Sequence, residues 1–318
     1  MSGRGRAACL PEVNGDLEKS VLKGVSRSFY LTLRLLPGPM RGAASLAYLL
    51  ARTSDTLADS AAVPVEERLS CLRDFERSLT ADAEVPRWPR SLLAAVDDNR
   101  ERRLLECCGD LLAWLARLPQ GERELVREVV GTIIGGQELD LERFARSGPE
   151  HPVALADDAA LEDYTWRVAG CVGAFWTKLG FLTIGARFSK APESVLLERG
   201  IAYGKGLQLV NILRDLPADL SHGRCYLPVC DPHDTAQLME THRRWLARAT
   251  EWNAAGFSYA ETLPSRRLRA ATLLPAMIAR ETLERMHGLD WTGLQTRVKV
   301  PRRRVYLAML RAFFSKVG

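Results

Sequence analysis

The sequence predicts an all-α protein folded as a single domain, and three observations support that prediction. Apolar residues recur at three- and four-residue spacing along most of the 318 residues, as on the buried face of a helix. Proline and glycine fall between these segments, where helices end. No segment keeps the two-residue alternation of a half-buried strand, so we expect no extended sheet.

The composition supports a folded chain with one core. With 47% hydrophobic and 26% charged residues, the chain carries enough apolar surface to exclude a disordered protein. No linker-like stretch divides it. We therefore expect a flexible segment at residues 1–16 and one domain over residues 17–318.

The helices are predicted in order from the periodicity and from the residues that interrupt it. Pro37-Gly38-Pro39 ends the first, Pro86 to Pro89 precede the fourth, and Pro217 ends the seventh. The predicted segments are Leu17–Leu36, Arg41–Ser60, Val65–Leu79, Arg90–Leu118, Glu122–Ala145, Leu161–Leu182, Glu193–Leu216, His233–Leu263, Arg266–His287 and Arg302–Lys316.

The chain is predicted to be cytoplasmic and to lack a transmembrane segment. Apolar runs such as Ala43–Ala51 and Leu273–Ala279 are far shorter than the ~18 residues that span a bilayer. Residues 1–10 do not form a signal-peptide pattern. The seven cysteines are odd in number and irregularly spaced, which is typical of reduced thiols inside the cell.

Positive charge is concentrated at the C-terminus. From Asp290 onward there are seven basic residues and one acidic residue, a net charge of +6 in a chain whose total is +5. Such a segment favours peripheral contact with an anionic membrane surface or a phosphate-bearing ligand, although a solvated basic face is the simpler explanation. No recognition motif accompanies the charge, so we expect no nucleic-acid partner.

Two carboxylates, Asp55 and Asp59, lie four residues apart in a strongly apolar helical segment. Residues at this spacing share one face of a helix. Burying two like charges costs several kcal/mol unless a cation compensates them. Mg²⁺ takes oxygen ligands from carboxylates and phosphates, so the pair is a candidate metal site.

A second pair, Asp215 and Asp219, repeats this spacing. Gln208 and Asn211 precede it on the same predicted helix face. A polar stripe beside apolar residues indicates the lining of a cavity. Two such carboxylate pairs facing each other would hold metal ions that clamp a diphosphate and stabilise its departure.

Cations for the same diphosphate are available near both pairs. Arginine donates forked hydrogen bonds to phosphate oxygens, and serine hydroxyls add single ones. An ordinary surface ion pair is the alternative for each, but Arg27 and Arg52 have apolar surroundings that favour a functional role. The candidate diphosphate ligands are Lys23, Ser26, Arg27, Ser28, Arg52, Gln208, Asn211 and Arg214.

Loss of a diphosphate leaves a carbocation, which a dry pocket with aromatic faces stabilises. Tyr48 and Tyr164 are the aromatic candidates. Gly170 and Gly173 would weaken a helix. We expect them to allow close approach, either of another helix or of a long apolar ligand.

Six motifs in order resemble the squalene/phytoene synthase family, the head-to-head prenyl synthases. The resemblance covers roughly Lys19 to Arg304. The motifs are Ser26-Arg27-Ser28-Phe29, Tyr48-Leu49-Leu50-Ala51-Arg52, Asp55-Thr56-Leu57-Ala58-Asp59, Tyr164-Thr165-Trp166-Arg167-Val168-Ala169-Gly170, Asn211-Ile212-Leu213-Arg214-Asp215 and Gly223-Arg224-Cys225-Tyr226-Leu227-Pro228.

This resemblance implies an isoprenoid synthase helical bundle with a central cavity. It implies Mg²⁺ held by the four aspartates, and it implies that Tyr164 assists the carbocation chemistry. We expect Tyr48, Arg52 and Arg214 to join Tyr164 in catalysis. The implied reaction joins two farnesyl diphosphates to presqualene diphosphate through a cyclopropane ring.

The branch of the family is predicted from two further features. Thr56 resembles the squalene branch, which reduces presqualene diphosphate to squalene with NADPH. Val298-Lys299-Val300-Pro301-Arg302 is similar to that branch's basic motif, so Lys299 and Arg302 are the candidate NADPH ligands. Ala58 and the Pro217-Ala218 step depart from the family pattern by removing carboxylates.

Two alternatives remain. One is a phytoene, dehydrosqualene or hydroxysqualene type of synthase without a reduction step. The other is a non-catalytic helical protein of the same fold that binds membranes. Neither prenyl chain length nor oligomeric state follows from the sequence.

Overall fold

The structure is a computed structural model that describes residues 29–80, 84–296 and 298–314, with the side chains of 32–80, 84–296 and 298–312. Helices dominate it, as predicted. The expected flexible segment at residues 1–16 lies outside the described residues, as does most of the first predicted helix.

The helices, numbered within the described residues, follow the predicted order. They are α1 (Phe29–Leu35), α2 (Gly38–Asp59), α3 (Val65–Ser78), α4 (Arg90–Ala95), α5 (Asn99–Glu106), α6 (Cys108–Arg117), α7 (Gln120–Arg143), α8 (Asp158–Thr165), α9 (Cys171–Ile184), α10 (Glu193–Ser221), α11 (Thr235–Glu261), α12 (Arg266–Met286), α13 (Trp291–Gln295) and α14 (Arg302–Phe314). A π-helical turn, Trp166–Gly170, joins α8 to α9, and a 3₁₀ turn, Gly185–Arg187, follows α9.

The long helix α10 lies at the centre of the bundle. It packs against α9 on one side and α11 on the other, and α11 packs in turn against α12. Helices α2 and α7 pack together. Fully buried leucines such as Leu46, Leu50 and Leu209 fill the spaces between these helices.

The predicted helix over Arg90–Leu118 is wrong, because three shorter helices occupy this stretch. Helix α4 ends at Ala95, and Arg102 closes that end by donating to the carbonyls of Leu93 and Val96 at 3.2 and 2.7 Å. Asp98 then starts α5 by accepting a hydrogen bond from the backbone N–H of Arg100 at 2.8 Å. Capping of this kind satisfies the free backbone groups at helix ends.

The predicted break at Pro217 is also wrong, since α10 continues through it to Ser221. Proline lacks the N–H that would bond to the carbonyl four residues earlier, which is that of Leu213. The ring nitrogen Nε2 of buried His242, on α11, lies 3.2 Å from that carbonyl oxygen. The histidine therefore supplies the donor that the proline lacks, and the helix carries both Asp215 and Asp219.

One short strand pair was not predicted. Val153–Ala154 (β1) pairs in parallel with Arg224–Cys225 (β2), and the partners are Val153 with Arg224 and Ala154 with Cys225. The pair is two residues long on each strand, so the expectation of no extended sheet is confirmed for the described residues. It fixes the segment after α10 beside the N-terminus of α8.

The stretch from α8 to the 3₁₀ turn is long and rich in apolar residues. Residues 158–187 form the one described helical stretch long and apolar enough, by length and composition, to cross a membrane. In this structure 33% of its most apolar window is buried. The core helix of a protein that crosses no membrane passes the same test, and this stretch packs against α7 and α10.

The described cysteines are all free thiols, as expected. Five of them are buried, and Cys230 is exposed. Burial raises the pKa of the Cys71 thiol to about 11 and that of Cys108 to about 12, so these thiols act as small apolar side chains.

Candidate active site

One face of α10 runs from an apolar end to an acidic end. Gly200, Gly204 and Leu207 line a cavity, and Gln208, Asn211, Asp215 and Asp219 continue the same face at helical spacing. We call these last four residues the polar stripe. At 1.5 Å per residue, Leu207 and Asp215 lie about 12 Å apart along the axis. The face therefore joins an apolar pocket to a carboxylate site.

The apolar end is a cavity of about 190 Å³ between α9, α10 and α12. Its wall depends on close helix contact. A Cβ atom on Gly173 would lie 1.9 Å from the carbonyl oxygen of Gly200, and one on Gly204 would lie 2.2 Å from that of Ala169. The prediction of close approach at Gly173 is therefore confirmed, and another helix makes the approach. The lining residues are Thr32, Ala169, Val172, Gly173, Trp176, Gly200, Tyr203, Gly204, Leu207, Tyr259, Ala271, Thr272 and Pro275.

A matching face of α2 carries Tyr48, Arg52, Asp55 and Asp59. Gln137 on α7 donates from Nε2 to Oδ1 of Asp55 at 2.6 Å. Arg52 lies between acids: its Nη1 is 3.6 Å from Oδ2 of Asp55, and its Nη2 forms an ion pair with Glu101 on α5. Although these groups surround it, 42% of the Asp55 side chain remains accessible to solvent.

The second pair is held by its own arginine. Arg214 donates from Nε to Oδ1 of Asp215 at 2.8 Å, and a second guanidinium nitrogen contacts Oδ2. Asp219 lies one turn further along α10, and no arginine in the described structure holds it by two hydrogen bonds in this way. Arg214, a predicted diphosphate ligand, is thus paired with Asp215, a predicted metal ligand.

Asp140 on α7 lies between the two aspartate pairs. Its carboxylate interacts electrostatically with both Asp59 and Asp219. The Tyr226 hydroxyl donates to its Oδ2 at 2.8 Å, and Nη1 of Arg224 lies 4.0 Å from the same oxygen. The β1–β2 pairing brings Arg224 and Tyr226 to this position.

Negative charge is confined at the acidic end of the site. Surrounding protein atoms displace water from both carboxyls and so raise the pKa of Asp55 and Asp140 to about 6, although part of the Asp55 side chain remains accessible. Burial, followed by repulsion from Asp215, raises the pKa of Asp219 to about 6. The pKa of Asp59 is raised as well, first by burial. Carboxylates that resist ionisation in this way are typical of sites that receive a cation.

The donor set fits a hard divalent ion by its chemistry. The acidic end offers carboxylate oxygens from α2, α7 and α10, which are the ligands that Mg²⁺ prefers. Among the described residues, no three Asp, Glu, His or Cys side chains converge on a single point that would hold an ion.

The structure brings some predicted site residues together and leaves others apart. Asp55, Asp59, Asp215, Asp219, Arg52, Arg214 and Tyr164 occupy one region, with Gln208 and Asn211 on the adjoining polar stripe. Lys299 and Arg302 are exposed, on and just after the segment between α13 and α14. The predicted ligands Lys23, Ser26, Arg27 and Ser28 lie outside the described residues.

Sequence reasoning missed Gln137, Asp140 and Glu101, and it gave no role to Arg224 or Tyr226. Gln137 and Asp140 are three residues apart in an apolar segment, the same kind of signal that identified the aspartate pairs. Glu101 lies in a highly charged segment, where nothing distinguishes it from its neighbours.

The chain is similar to several curated proteins. A presqualene diphosphate synthase of Zymomonas mobilis is 27% identical over 314 residues, which is 94% of each chain. One from Rhodopseudomonas palustris is 30% identical over 218 residues, 68% of this chain and 64% of that one. A bifunctional lycopene cyclase/phytoene synthase of Phaeosphaeria nodorum is 31% identical over 210 residues, and the chain spans 33% of that longer protein.

Solved structures agree on the fold. The structure of TcSQS with the ligand E5700 has a TM-score of 0.78 at 23% identity and covers 95% of this chain and 86% of that one. A dehydrosqualene synthase with a bound ligand has a TM-score of 0.59 at 20% identity and covers 95% of both chains. The family model for squalene/phytoene synthase matches residues 22–304. The chain therefore belongs to the squalene/phytoene synthase family and carries the all-α fold of the enzymes that condense prenyl diphosphates head to head.

Proposed function

We propose that the protein condenses two molecules of farnesyl diphosphate to presqualene diphosphate with Mg²⁺. The observation that carries this proposal is the α10 face, which joins an apolar cavity to the polar stripe and the carboxylates. An allylic diphosphate has the same polarity, with a greasy tail and an anionic head. The Zymomonas mobilis relative, which matches along nearly its whole length, is named for this product.

The residues of the acidic end have separable tasks in this reaction. Asp55, Asp59, Asp215 and Asp219 would hold Mg²⁺, which neutralises charge on the departing diphosphate. Arg52, Arg214 and Arg224 lie among these carboxylates and can donate to phosphate oxygens once the substrate arrives. The apolar wall of the cavity would limit the access of water to the allylic cation.

The bonds that form and break account for all the atoms. The donor molecule loses diphosphate from C1, and the C2–C3 double bond of the acceptor attacks that carbon. Loss of one proton from the donor C1 then closes the cyclopropane ring. The products are presqualene diphosphate, diphosphate and a proton.

This proposal is tested by incubating the purified chain with Mg²⁺ and either farnesyl or geranylgeranyl diphosphate. Presqualene diphosphate from the shorter substrate is the expected product. Turnover of geranylgeranyl diphosphate alone would instead favour a phytoene-type synthase, which the name of the Phaeosphaeria nodorum relative makes the second candidate. No turnover of either substrate would leave the non-catalytic membrane-binding alternative.

A second step, reduction to squalene by NADPH, is the finer proposal. Lys299 and Arg302 are exposed, so their side chains could bind a phosphate of the cofactor. Val298, next to Lys299, packs against the apolar cluster that contains Tyr164 and Leu213. A cofactor held at this point would lie beside that cluster. A dehydrosqualene or hydroxysqualene type of synthase would bind no reductant here.

We expect Lys299→Ala to separate the two steps. With farnesyl diphosphate, Mg²⁺ and NADPH, the wild type should yield squalene, and the variant should retain condensation but accumulate presqualene diphosphate. Lys190→Ala, which removes another exposed lysine, is the matched control. If the wild-type product is the same with and without NADPH, the reduction step is wrong while the condensation stands.

We also propose that α14 places the protein on an anionic membrane surface. Its inner face packs against α12 through Ala308 and Ala312. Its outer side exposes 63% of Tyr306 and 59% of Leu310 beside exposed Arg303. Apolar side chains flanked by arginine are typical of helices that lie in the membrane interface, where the greasy substrates dissolve.

Vesicle flotation tests this proposal. At low salt the protein should float with vesicles containing phosphatidylserine and stay behind with purely zwitterionic ones. Each arginine contributes about 1 kcal/mol at such a surface, so Arg302→Glu with Arg303→Glu should reduce binding at least tenfold. Equal flotation with both vesicle types, or none with either, would contradict an electrostatic membrane contact.

A further inference from the structure

Pro217 lies inside α10, midway between Asp215 and Asp219, the two carboxylates of that helix that would bind metal. A proline at this position has no N–H to donate to the carbonyl of Leu213, and its ring crowds that carbonyl. Helices usually kink or end at such a point. The candidate metal site therefore depends on a stretch of helix that its own sequence weakens.

His242 on α11 completes this stretch from outside the helix. Its Nε2 atom lies 3.2 Å from the Leu213 carbonyl oxygen, and because a carbonyl can only accept, Nε2 must carry the hydrogen. The contact is shielded from solvent, since His242 is 1% exposed and Leu213 is 0% exposed. Burial lowers the pKa of His242, so the ring is neutral near pH 7 and donates through one nitrogen only.

The surroundings of the histidine hold it in place. Leu238 and Trp245 share its face of α11 at helical spacing, and both are buried. They belong to the same apolar cluster as Leu213 and Leu216 of α10. The imidazole is thus fixed by the packing of two long helices rather than by a mobile loop.

The donor acts on the side of α10 that faces away from the carboxylates. At 3.6 residues per turn, a step of two residues turns the helix by about 200°. Asp215 is two residues from Leu213. Asp219 is equally far from Pro217. His242 therefore does not compete with a metal or a phosphate for these carboxylates, and it acts on them only through the backbone.

Asp219 depends on this backbone more than Asp215 does. Arg214 holds Asp215 through two guanidinium nitrogens, whereas no arginine among the described residues holds Asp219 in that way. Asp219 also lies beyond Pro217, close to the C-terminal end of α10. Without the histidine a buried carbonyl would lack a donor, and a shift of the last turn that relieved this cost would move Asp219 away from Asp215.

We propose that His242 is a positioning residue for the metal-binding carboxylates, an inference that rests on the Mg²⁺ site of the proposed function. By supplying the donor that Pro217 lacks, the histidine keeps α10 continuous and fixes Asp219 relative to Asp215. Mg²⁺ and the substrate diphosphate then meet carboxylates that are already in place. The proline and the histidine act as one unit, because the first makes the second necessary.

A double-mutant cycle between the two residues tests the proposal. Pro217→Ala restores a backbone N–H that can bond to the Leu213 carbonyl, and His242→Phe removes the imidazole donor but keeps an aromatic ring. Binding is measured without turnover, as the rise in melting temperature of the full chain when Mg²⁺ is titrated in the presence of inorganic diphosphate.

His242→Phe alone should weaken Mg²⁺ binding about 10- to 100-fold, the range found for residues that orient metal ligands. In the Pro217→Ala background the same change should cost less than about threefold, because the carbonyl keeps a donor. With farnesyl diphosphate as substrate, the Mg²⁺ concentration for half-maximal activity should rise in the same order.

Two further variants separate the donor from packing and from general stability. His242→Gln keeps a side-chain N–H donor and should retain Mg²⁺ binding within about threefold of the wild type. Asn253→Ala, also on α11, removes a buried hydrogen bond from Nδ2 of Asn253 to the carbonyl of Ala276 on α12, which is 3.0 Å long. This matched control should lower the melting temperature and leave Mg²⁺ binding unchanged.

An equal loss of Mg²⁺ binding on His242→Phe in both backgrounds would overturn the proposal, since the histidine would then act through packing alone. Wild-type binding by His242→Phe itself would overturn it as well. If His242→Phe does not fold, the double variant decides the question. A folded double variant that binds Mg²⁺ supports the proposal, and one that also fails to fold contradicts it.

Failure of this inference is distinguishable from failure of the proposed function, because binding of Mg²⁺ with diphosphate needs no prenyl substrate. A wild type that forms presqualene diphosphate while the two substitutions show no coupling overturns the positioning role alone. A wild type that shows the coupling but forms no cyclopropyl product overturns the condensation alone. A wild type that binds no Mg²⁺ with diphosphate overturns the metal site and the positioning role together.

Discussion

Replacing Asp219 with asparagine should lower turnover by at least ~100-fold without weakening the fold. The substitution keeps the shape of the side chain and removes its charge, so the metal that Asp219 would help to hold loses a ligand. Loss of residues that only support metal ligands already costs 10- to 100-fold, and a ligand itself should cost more. Steady-state kinetics with farnesyl diphosphate over a range of Mg²⁺ concentrations measures the effect.

The stability of the same variant distinguishes a functional carboxylate from a structural one. The raised pKa of Asp219, about 6, means that the folded state holds its proton more tightly than the unfolded state. Stability from this group is therefore present at low pH and lost as the pH rises from about 4 to about 6. Above pH 6 the ionised carboxylate destabilises the metal-free fold, and the neutral amide removes that cost. The melting temperature of metal-free Asp219→Asn should equal or exceed that of the wild type.

Asp55→Asn should lose turnover to a similar extent but gain less stability, since it also breaks the contact with Arg52. Excess EDTA should abolish turnover of the wild type. Glu198→Gln, a neutralised exposed acid on the same helix α10, is the matched control and should retain activity. Full activity of Asp219→Asn, or of the wild type in EDTA, would overturn the metal site at both aspartate pairs.

Local signals in the sequence predicted most helices because apolar periodicity and Pro or Gly breaks are local properties. Helix α3 and helix α7, for example, begin and end within two residues of their predicted bounds. The continuation of α10 through Pro217 was not predictable in this way. The donor that replaces the missing N–H comes from His242, on another helix, and only the tertiary structure reveals that contact.

The same difference between local signals and tertiary contacts applies to the residues of the candidate site. The aspartate pairs and the polar stripe could be recognised in the sequence because their members recur at helical spacing, although the predicted helix ended before Asp219. The central position of Asp140 was not predictable, since it depends on how α7 crosses α2 and on a strand pair of two residues. The paired hydrogen bonds from Arg214 to Asp215 could not be predicted either, because helical spacing does not show which neighbouring carboxylate a flexible guanidinium contacts.

Gly173→Ala should destabilise the protein by about 3 kcal/mol or more, the largest effect we expect on the fold. The added Cβ would lie 1.9 Å from the carbonyl oxygen of Gly200 and 2.4 Å from its carbonyl carbon. Both atoms belong to the backbone of α10, so no side-chain rotation relieves the clash. Helices α9 and α10 must separate, which costs packing along their whole contact.

Gly42→Ala provides the opposite result from the same chemical change. Gly42 lies inside α2, and a Cβ there would meet nothing within 4 Å. Because alanine lowers the entropy of the unfolded chain and favours the helix, this variant should gain about 0.5–1 kcal/mol. Chemical denaturation of both variants measures the two free energies of unfolding. A Gly173→Ala variant as stable as Gly42→Ala would show that α9 and α10 are not in backbone contact, and the wall of the apolar cavity would then have to be formed differently.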